Sequence, residues 1–485
     1  MKDVIDNILD DIEKNTNLSR RSALKILAAS PFAAALFSQT AIPTEAEAAS
    51  DARGKIVIVG GGLAGIATAA KLKRRLKNPD ITVIEPNENS VTYQAGNTLV
   101  ACGTFKKEDM IYETKDYMPK GVNWIKKYAK TFDPANNSLT LDDGETITYD
   151  YLIVAMGIKL NYGAVEGLDG EITSNGDDSV VRQKIGKNGL YSIYFTNGSA
   201  DMYQGIQDII EKAKKLPAGQ KLELVFSDSP TAIKCGGAPK KAAYVTYDLI
   251  EKAGVKDKVN ITFYTASGKL FSVPEYAEAI EKQFKARNFK FEFNIQLVGV
   301  DAANRVATFE RSWEEKGEWD EDLEEFEMIK KTERFTKSYD LLHVVPHQKA
   351  PDEIGKSPLG SDNGWVPVNQ ETLQHVKYPN VFSLGDCAAV PLGKTGGSAR
   401  KQYKVVAENL IAVMEGKDKL PEAYDGYTVC PFVTRVGRVM LAEFNWNGKT
   451  SSFPFDPTKE RWIMWILKAY LMKPMIMYGM LPGRL

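Results

Sequence analysis

The sequence predicts an α/β chain of two Rossmann-like, doubly wound domains followed by a C-terminal amphipathic, membrane-associating region. Three stretches carry this expectation. The segment "GKIVIVGGGLAGIATAAKLKRRL" is an apolar strand, a glycine turn and a helix. A second alternation of strands and helices runs through "KLELVF", "AAYVTYDLIEKAG", "VNITFYTA" and "YAEAIEKQFKARNFKFEFN". Near the end, "RWIMWILKAYLMKPMIMYGMLPGRL" is crowded with Trp, Met, Leu and Ile.

The 485 residues, 43% hydrophobic and 26% charged, suffice for two or three domains with real cores. A net charge of -1 gives no electrostatic reason to expect nucleic acid as a partner. Cys102, Cys235, Cys387 and Cys430 are too scattered for a disulfide scaffold or a local metal site, and the three histidines lack metal-ligand spacing, so no metal is expected. Residues 1–49 resemble a twin-arginine export signal: Arg20 and Arg21 precede an apolar stretch, and "AEAA" offers small residues for cleavage. That predicts an exported protein on the periplasmic side of the cytoplasmic membrane.

The first glycine turn begins the chemistry. Gly60, Gly62 and Gly65 form G-x-G-x-x-G, and Glu85 follows about twenty residues on, at the end of "ITVIEP". The glycines let the backbone approach a pyrophosphate at a helix N-terminus, and Glu85 can accept from ribose hydroxyls. Two later segments, "YDYLIVAMG" ending at Gly157 and "YPNVFSLGDCAAV" with Gly385 and Asp386, complete a trio. Together they resemble the FAD contacts of the two-dinucleotide-binding, disulfide-reductase-like flavoproteins, although Met156 replaces the usual Thr. Cys387, beside the Asp, reads as a packing residue.

In relatives that use NAD(P)H, the central strand of the second domain runs into its own glycine cradle. Here it runs into "SDSPTAIKCGGAPKK". Proline, lysine and cysteine leave no bare cradle for pyrophosphate, so NAD(P)H is not an expected partner. Cys235 instead sits at a turn into a helix, where the helix terminus and Lys234, Lys240 and Lys241 would favour a thiolate. The plainer alternative is a small buried cysteine beside a glycine turn. Cys430, in "EAYDGYTVCPFVTRVGRVMLAEFNW", suggests a redox partner, but its separation in sequence does not prove proximity.

The C-terminal run predicts a helix starting at Pro457 with Asp456 as N-cap, ended or kinked at Pro474. Its apolar girth, with Lys459, Arg461, Lys468 and Lys473, reads as an interfacial segment lying on a bilayer. A buried helix pair or a dimer interface is the alternative. The charged stretch from Glu310 to Phe335 reads as a solvated hairpin with an acidic tip.

Several long segments make the resemblance sharper. "KCGGAPKK", "LLHVVPHQKAPDEIGKSPL", "GWVPVNQETLQHVKYPNVFSLGDCAAVPLGKTGG", "YDGYTVCPFVTRVGRVMLAEF" and "FPFDPTKERWIMWILKAYLM" resemble the sulfide:quinone oxidoreductases, near the branch that includes the mitochondrial enzyme. The resemblance implies an enzyme that oxidises hydrogen sulfide and passes electrons through non-covalent FAD to membrane quinone. It places the catalytic cysteine pair on Cys235 and Cys430, with the persulfide on Cys430 and Cys235 as the thiolate that engages the flavin C4a face. Lys394 becomes a candidate for stabilising charge on the reduced flavin, and Phe432, Phe453 and Phe455 become candidates for lining a quinone channel. Tyr93 stands where a related family attaches FAD through Cys, and Cys102 receives no role. The sulfur acceptor stays open.

The implied organisation is an export signal over 1–49, FAD-binding parts at 54–165 and 341–420, a second Rossmann-like domain at 166–340 and a C-terminal redox-cysteine and membrane/quinone region at 421–485. Three other readings share these features. One is the flavoprotein subunit of a flavocytochrome c sulfide dehydrogenase, which hands electrons to a haem partner. A type II NADH dehydrogenase would need the nicotinamide loop, and an exported flavin-bound sulfane-sulfur-binding protein would not turn over.

Overall fold

A computed structural model describes residues 49–173, 176–320 and 324–485. The expected export signal lies outside the described residues apart from Ala49.

The first sheet is built from "KIVIV" and its neighbours. Ile56, Val57 and Ile58 are fully buried, as a parallel strand covered on both faces requires. Five parallel strands lie in the spatial order Val381–Ser383, Tyr151–Val154, Lys55–Val59, Asp80–Ile84, Asn123–Ile125. Strands from before and after the second domain thus meet in one sheet. The helix Leu63–Arg75 packs against the helix Gly396–Met414, and Arg75 makes a two-pronged contact with Glu408, at 2.9 Å from Nε and 3.0 Å from Nη2.

The second sheet has the order Leu190–Tyr191, Leu341–His343, Leu222–Ser227, Val259–Tyr264, Lys290–Glu292, again all parallel. Leu341–His343 therefore belongs to the second sheet, and the chain crosses back to the first domain after it rather than at residue 340. Helices Thr196–Lys215, Ala238–Lys252 and Pro274–Ala286 cover this sheet with stripes that include Ile206, Ile210, Tyr244 and Ile280. A long antiparallel hairpin, Val306–Asp320 with Glu325–Ser338, leaves the domain. It is buried at its base through Ala307 and Phe309 and exposed further out, which fits its charge.

The hairpin Thr428–Arg435 with Arg438–Asn445 docks on the second domain, where Cys430, Phe432 and Met440 join the same core as Phe271 and Tyr244. The terminal helix starts at Trp462, with Arg461 as N-cap, five residues later than the proline signal suggested. Pro457 instead lies in a turn closed by Thr458, whose N–H and hydroxyl both bond Asp456. Wide π-helical turns at Leu467–Leu471 and Met475–Met480 carry the helix through Pro474. Met464, Trp465, Ile466, Leu467 and Leu471 are buried against Leu99, Val245, Val433 and Leu441. The apolar girth of this segment is largely spent on the protein's own body, which the sequence pattern alone did not distinguish from lipid contact. Phe455, Trp462 and Tyr478 remain 40%, 43% and 51% exposed. No helix among the described residues is long and apolar enough to cross a membrane.

Candidate functional site

A cavity of about 400 Å³ runs from the first glycine loop to the cysteine loop. Gly60, Gly62, Glu85, Gly157, Gly385, Asp386 and Lys394 all line it, and so do Tyr93, Lys234, Cys235, Lys241 and Lys468. Gly60 takes φ +107, a conformation that L side chains rarely adopt, and a methyl group on Gly65 would fall on the Gly60 carbonyl. A methyl on Gly62 would meet nothing, so the backbone there is open to a ligand. Glu85 accepts from Gly61 N–H at 2.8 Å and from Asn87 N–H at 2.8 Å, which pins the loop. Burial pushes its carboxyl up, while those two N–H groups pull it down.

Across the cavity, Asp386 follows the strand Val381–Ser383. Burial raises its carboxyl, opposed by Lys234 and Lys394. The Lys394 ammonium donates to Asp386 O at 2.6 Å and stands 3.7 Å from the Trp365 ring centroid. Burial lowers its pKa. Asn97 also lines the space, and its buried Oδ1 has no partner. A glycine cradle at a helix N-terminus, an acidic residue at each end of the cavity, and an orphaned acceptor fit an adenine dinucleotide with a polar second half.

At the other end, Cys235 is the residue that reverses the chain into the helix Ala238–Lys252. It adopts φ +51, unusual for a side chain with a Cβ, and its carbonyl accepts from Ala238 N–H at 2.8 Å. Its own N–H bonds Lys394 O at 2.9 Å, tying the cysteine loop to the loop after Asp386. Cys430 Sγ lies 3.7 Å from Cys235 Sγ, and Lys241 Nζ lies 3.1 Å from Cys235 Sγ. The Cys430 thiol, then the Lys241 charge, hold Cys235 well below the usual thiol range against the pull of burial. Burial, then the neighbouring Cys235, drive Cys430 well above it. Burial alone would lower Lys241, but the negative charge of the cysteine pair outweighs it and raises the amine. The site is therefore polarised into one thiolate and one thiol.

The lysines expected around Cys235 divide. Lys241 contacts the sulfur, whereas Lys240 forms a buried ion pair with Asp228. Lys234 donates to Gln94 Oε1 at 2.7 Å, and burial brings it down to about 8. Lys468, read from sequence as a headgroup contact, is 1% exposed and points into the cavity, donating to Ala95 O. Burial and then repulsion from Lys241 lower it to about 7. Nothing in the sequence marks this role except that Lys468 stands within an apolar stretch, "WIMWILKAYLM".

Phe432 is fully buried beneath the cysteine pair, edge-on to Phe271 at 5.2 Å, and does not line the cavity. Phe453 and Phe455 stack on each other 6.2 Å apart, with Phe455 exposed, also away from the lining. The aromatic rings that do line it are Tyr93, Tyr128 and Tyr194, and Tyr93 lies under the ammonium of Lys468 at 5.7 Å, with Met472 and Ile476 of the tail in the same lining. Sequence reasoning missed Met472 and Ile476 because the sequence shows them as apolar residues of the tail, not which way they face. Cys102 is buried against Leu99 O and Thr104, and Cys387 against Val154 O, both as packing residues.

Comparison with known proteins agrees with this geometry. Residues 54–188 match the family model described as pyridine nucleotide-disulphide oxidoreductase. The chain is 36% identical over 433 residues to the mitochondrial sulfide:quinone oxidoreductase of Dictyostelium discoideum, covering 89% of this chain and 86% of that one. With the mitochondrial sulfide:quinone oxidoreductase of Mus musculus it shares 33% identity over 428 residues, covering 88% and 86%. The X-ray structure of the sulfide:quinone oxidoreductase from Aquifex aeolicus has the same fold, with a TM-score of 0.67 at 18% identity, covering 89% of this chain and 92% of that one. The dinucleotide that the cavity takes is FAD. A flavin cavity lined at one end by Cys235, with Cys430 3.7 Å from it, is thus carried by a chain that belongs to the sulfide:quinone oxidoreductase family.

Proposed function

We propose that this enzyme oxidises hydrogen sulfide to sulfane sulfur through Cys235 and Cys430 and delivers the electrons to membrane quinone. The observation that carries the reading is the 3.7 Å approach of the two sulfurs beside the flavin cavity, with Lys241 3.1 Å from one of them.

In the oxidised pair, hydrosulfide attacks the Cys430 sulfur. A sulfur–sulfur bond forms on Cys430, the bond to Cys235 breaks, and its electron pair leaves on Cys235. The asymmetry of the site favours this direction, since the leaving sulfur is the one held as thiolate by Lys241. The products are a persulfide on Cys430 and a thiolate on Cys235, and the sulfane sulfur then departs to a second thiol or as polysulfide. Gly60, Gly62, Gly65, Glu85, Gly157, Gly385 and Asp386 hold FAD without a covalent link. Bound FAD supplies the two-electron acceptor for the cysteine pair and the two-electron donor for quinone. Lys394 and Lys234 put positive charge beside Asp386, and they would stabilise negative charge on a reduced flavin held in this cavity.

Quinone enters along the tail, past Tyr93, Met472 and Ile476, with Phe453 and Phe455 nearer the outer surface. Phe455, Trp462 and Tyr478 rest on a bilayer surface, and the twin-arginine segment puts that surface on the periplasmic side of the cytoplasmic membrane.

The test is anaerobic addition of sulfide to the FAD-loaded protein. Sulfide bleaches the flavin, a short-chain quinone restores it, and NADH leaves it unchanged. A flavin spectrum indifferent to sulfide would sink the reading.

A further inference from the structure

Each cation around the cysteine pair is already engaged. Lys241 faces Cys235, Lys240 pairs with Asp228, Lys234 donates to Gln94 and Lys468 to a backbone carbonyl. Tyr194 is different. It is 2% exposed and lines the same cavity as Cys235, yet its hydroxyl has no hydrogen-bond partner. The neighbouring Tyr162 satisfies its own hydroxyl on Ser192 at 2.8 Å, and the other buried tyrosine hydroxyls without a partner among the described residues, those of Tyr149, Tyr244, Tyr339 and Tyr403, lie away from the cavity lining. Tyr194 shares its apolar cluster with Ala238, the first residue of the helix that Cys235 leads into. A buried hydroxyl left without a partner, lining the same cavity as Cys235, is a vacant donor.

We propose that the Tyr194 hydroxyl is a substrate-holding group, donating to the incoming hydrosulfide and then to the outer sulfur of the persulfide on Cys430. The inference rests on the cysteine mechanism above and assigns it a second anion-binding group. Lys241 holds the sulfur that leaves, and Tyr194 holds the sulfur that arrives. The hydroxyl moves no electrons: the bond between the cysteines breaks, the bond to substrate sulfur forms, and the electron pair goes to Cys235 as before. Burial, followed by the negative charge of Asp228 and then of the Cys235 thiolate, keeps the phenol protonated, so it enters the reaction as a donor. A neutral donor has a further advantage here. A second fixed cation would compete with Lys241 for the thiolate, whereas a phenol stabilises an anionic sulfur without drawing Cys235 away.

The test is Tyr194→Phe in the full, FAD-loaded chain, which keeps the ring and removes only the hydroxyl. Loss of a hydrogen bond to an anion predicts a rise of about tenfold or more in the sulfide KM with the quinone KM unchanged. One anaerobic equivalent of sulfide, followed by alkylation and mass spectrometry of the Cys430 peptide, then recovers less persulfide from the variant than from the wild type. Wild-type values for both measurements would overturn the inference, and so would a parallel rise in both KM values with a lowered Tm, which marks a packing role. If the wild type itself fails to bleach with sulfide, the cysteine mechanism falls; if it bleaches and the variant matches it, only the role of Tyr194 falls.

Discussion

Two loops in this protein occupy the same place in two similar sheets and do opposite things with their glycines. After Lys55–Val59 the chain turns through Gly60 to Gly65 into a helix; after Leu222–Ser227 it turns through Lys234 to Gly237 into another. In the first loop, a methyl group on Gly62 would meet open cavity. In the second, a methyl on Gly237 would stand 2.5 Å from both Cys430 Sγ and the Phe432 ring. One loop keeps its space for a dinucleotide, and the other fills it with the protein's own sulfur and aromatic ring. The positive-φ residue differs too: Gly60 in the first loop, Cys235 in the second, where a cysteine occupies a conformation that glycine would adopt more cheaply. A Rossmann-like sheet thus supplies a helix N-terminus, and the loop decides whether it faces phosphate or thiolate.

The comparison breaks most severely at the sulfurs. Cys235→Ser and Cys430→Ser should each lower sulfide-dependent quinone reduction by about a thousandfold or more, as loss of a reacting group does, with flavin content unchanged. A Ser variant that still turns over would return the second loop to a structural role.

The glycines sharpen it next. Gly237→Ala should cost about 1–3 kcal/mol through overpacking against Cys430 and Phe432, read as a lowered Tm, and should reduce sulfide oxidation while FAD stays bound. Gly62→Ala should leave the Tm of the flavin-free protein nearly unchanged and lower flavin content instead, because its methyl projects into the cavity. Equal effects on flavin content would erase the distinction between the loops.

The smallest effects concern charge. The Cys235 thiolate is present above its lowered pKa and is lost as pH falls through it. Lys241→Met should move that titration upward, toward an ordinary thiol, so that activity fails first on the acid side. The measurement is thiolate ultraviolet absorbance of the reduced protein against pH. Lys468→Met should move it in the same direction by less, since Lys468 contributes less to Cys235 than Lys241 does. The Lys468 amine loses its proton as pH rises through about 7, so the difference between wild type and this variant should fade above that pH.

Much of the fold was legible because its signals are local. Strand, glycine turn and helix follow one another within 54–76, and the replaced cradle at Thr231 to Lys241 can be read residue by residue. The charged hairpin also announced itself by composition. The tail was half legible. Its apolar character was plain, but whether it faces lipid or protein depends on what else has folded beside it, and here Leu99, Val245 and Val433 are there to receive it. The quinone candidates show the same limit, since the sequence makes Phe432 a candidate for the channel and the sheet turns its ring into the core.

What the sequence determined by itself was the pair of sheets, the dinucleotide loop with Glu85, the lack of a second glycine cradle, and two cysteines of the right kind. What only the tertiary structure decided was their meeting. Cys235 and Cys430 are 195 residues apart in the chain, and they touch because a C-terminal hairpin docks on the helix that Cys235 begins. It also chose among the lysines. Successive residues on a helix point about 100° apart, so Lys240 turns to Asp228 and Lys241 to the sulfur, though in sequence they are the same residue twice. Local propensity fixes which way a segment folds; the direction a side chain faces, and the distant groups it meets, are set by packing.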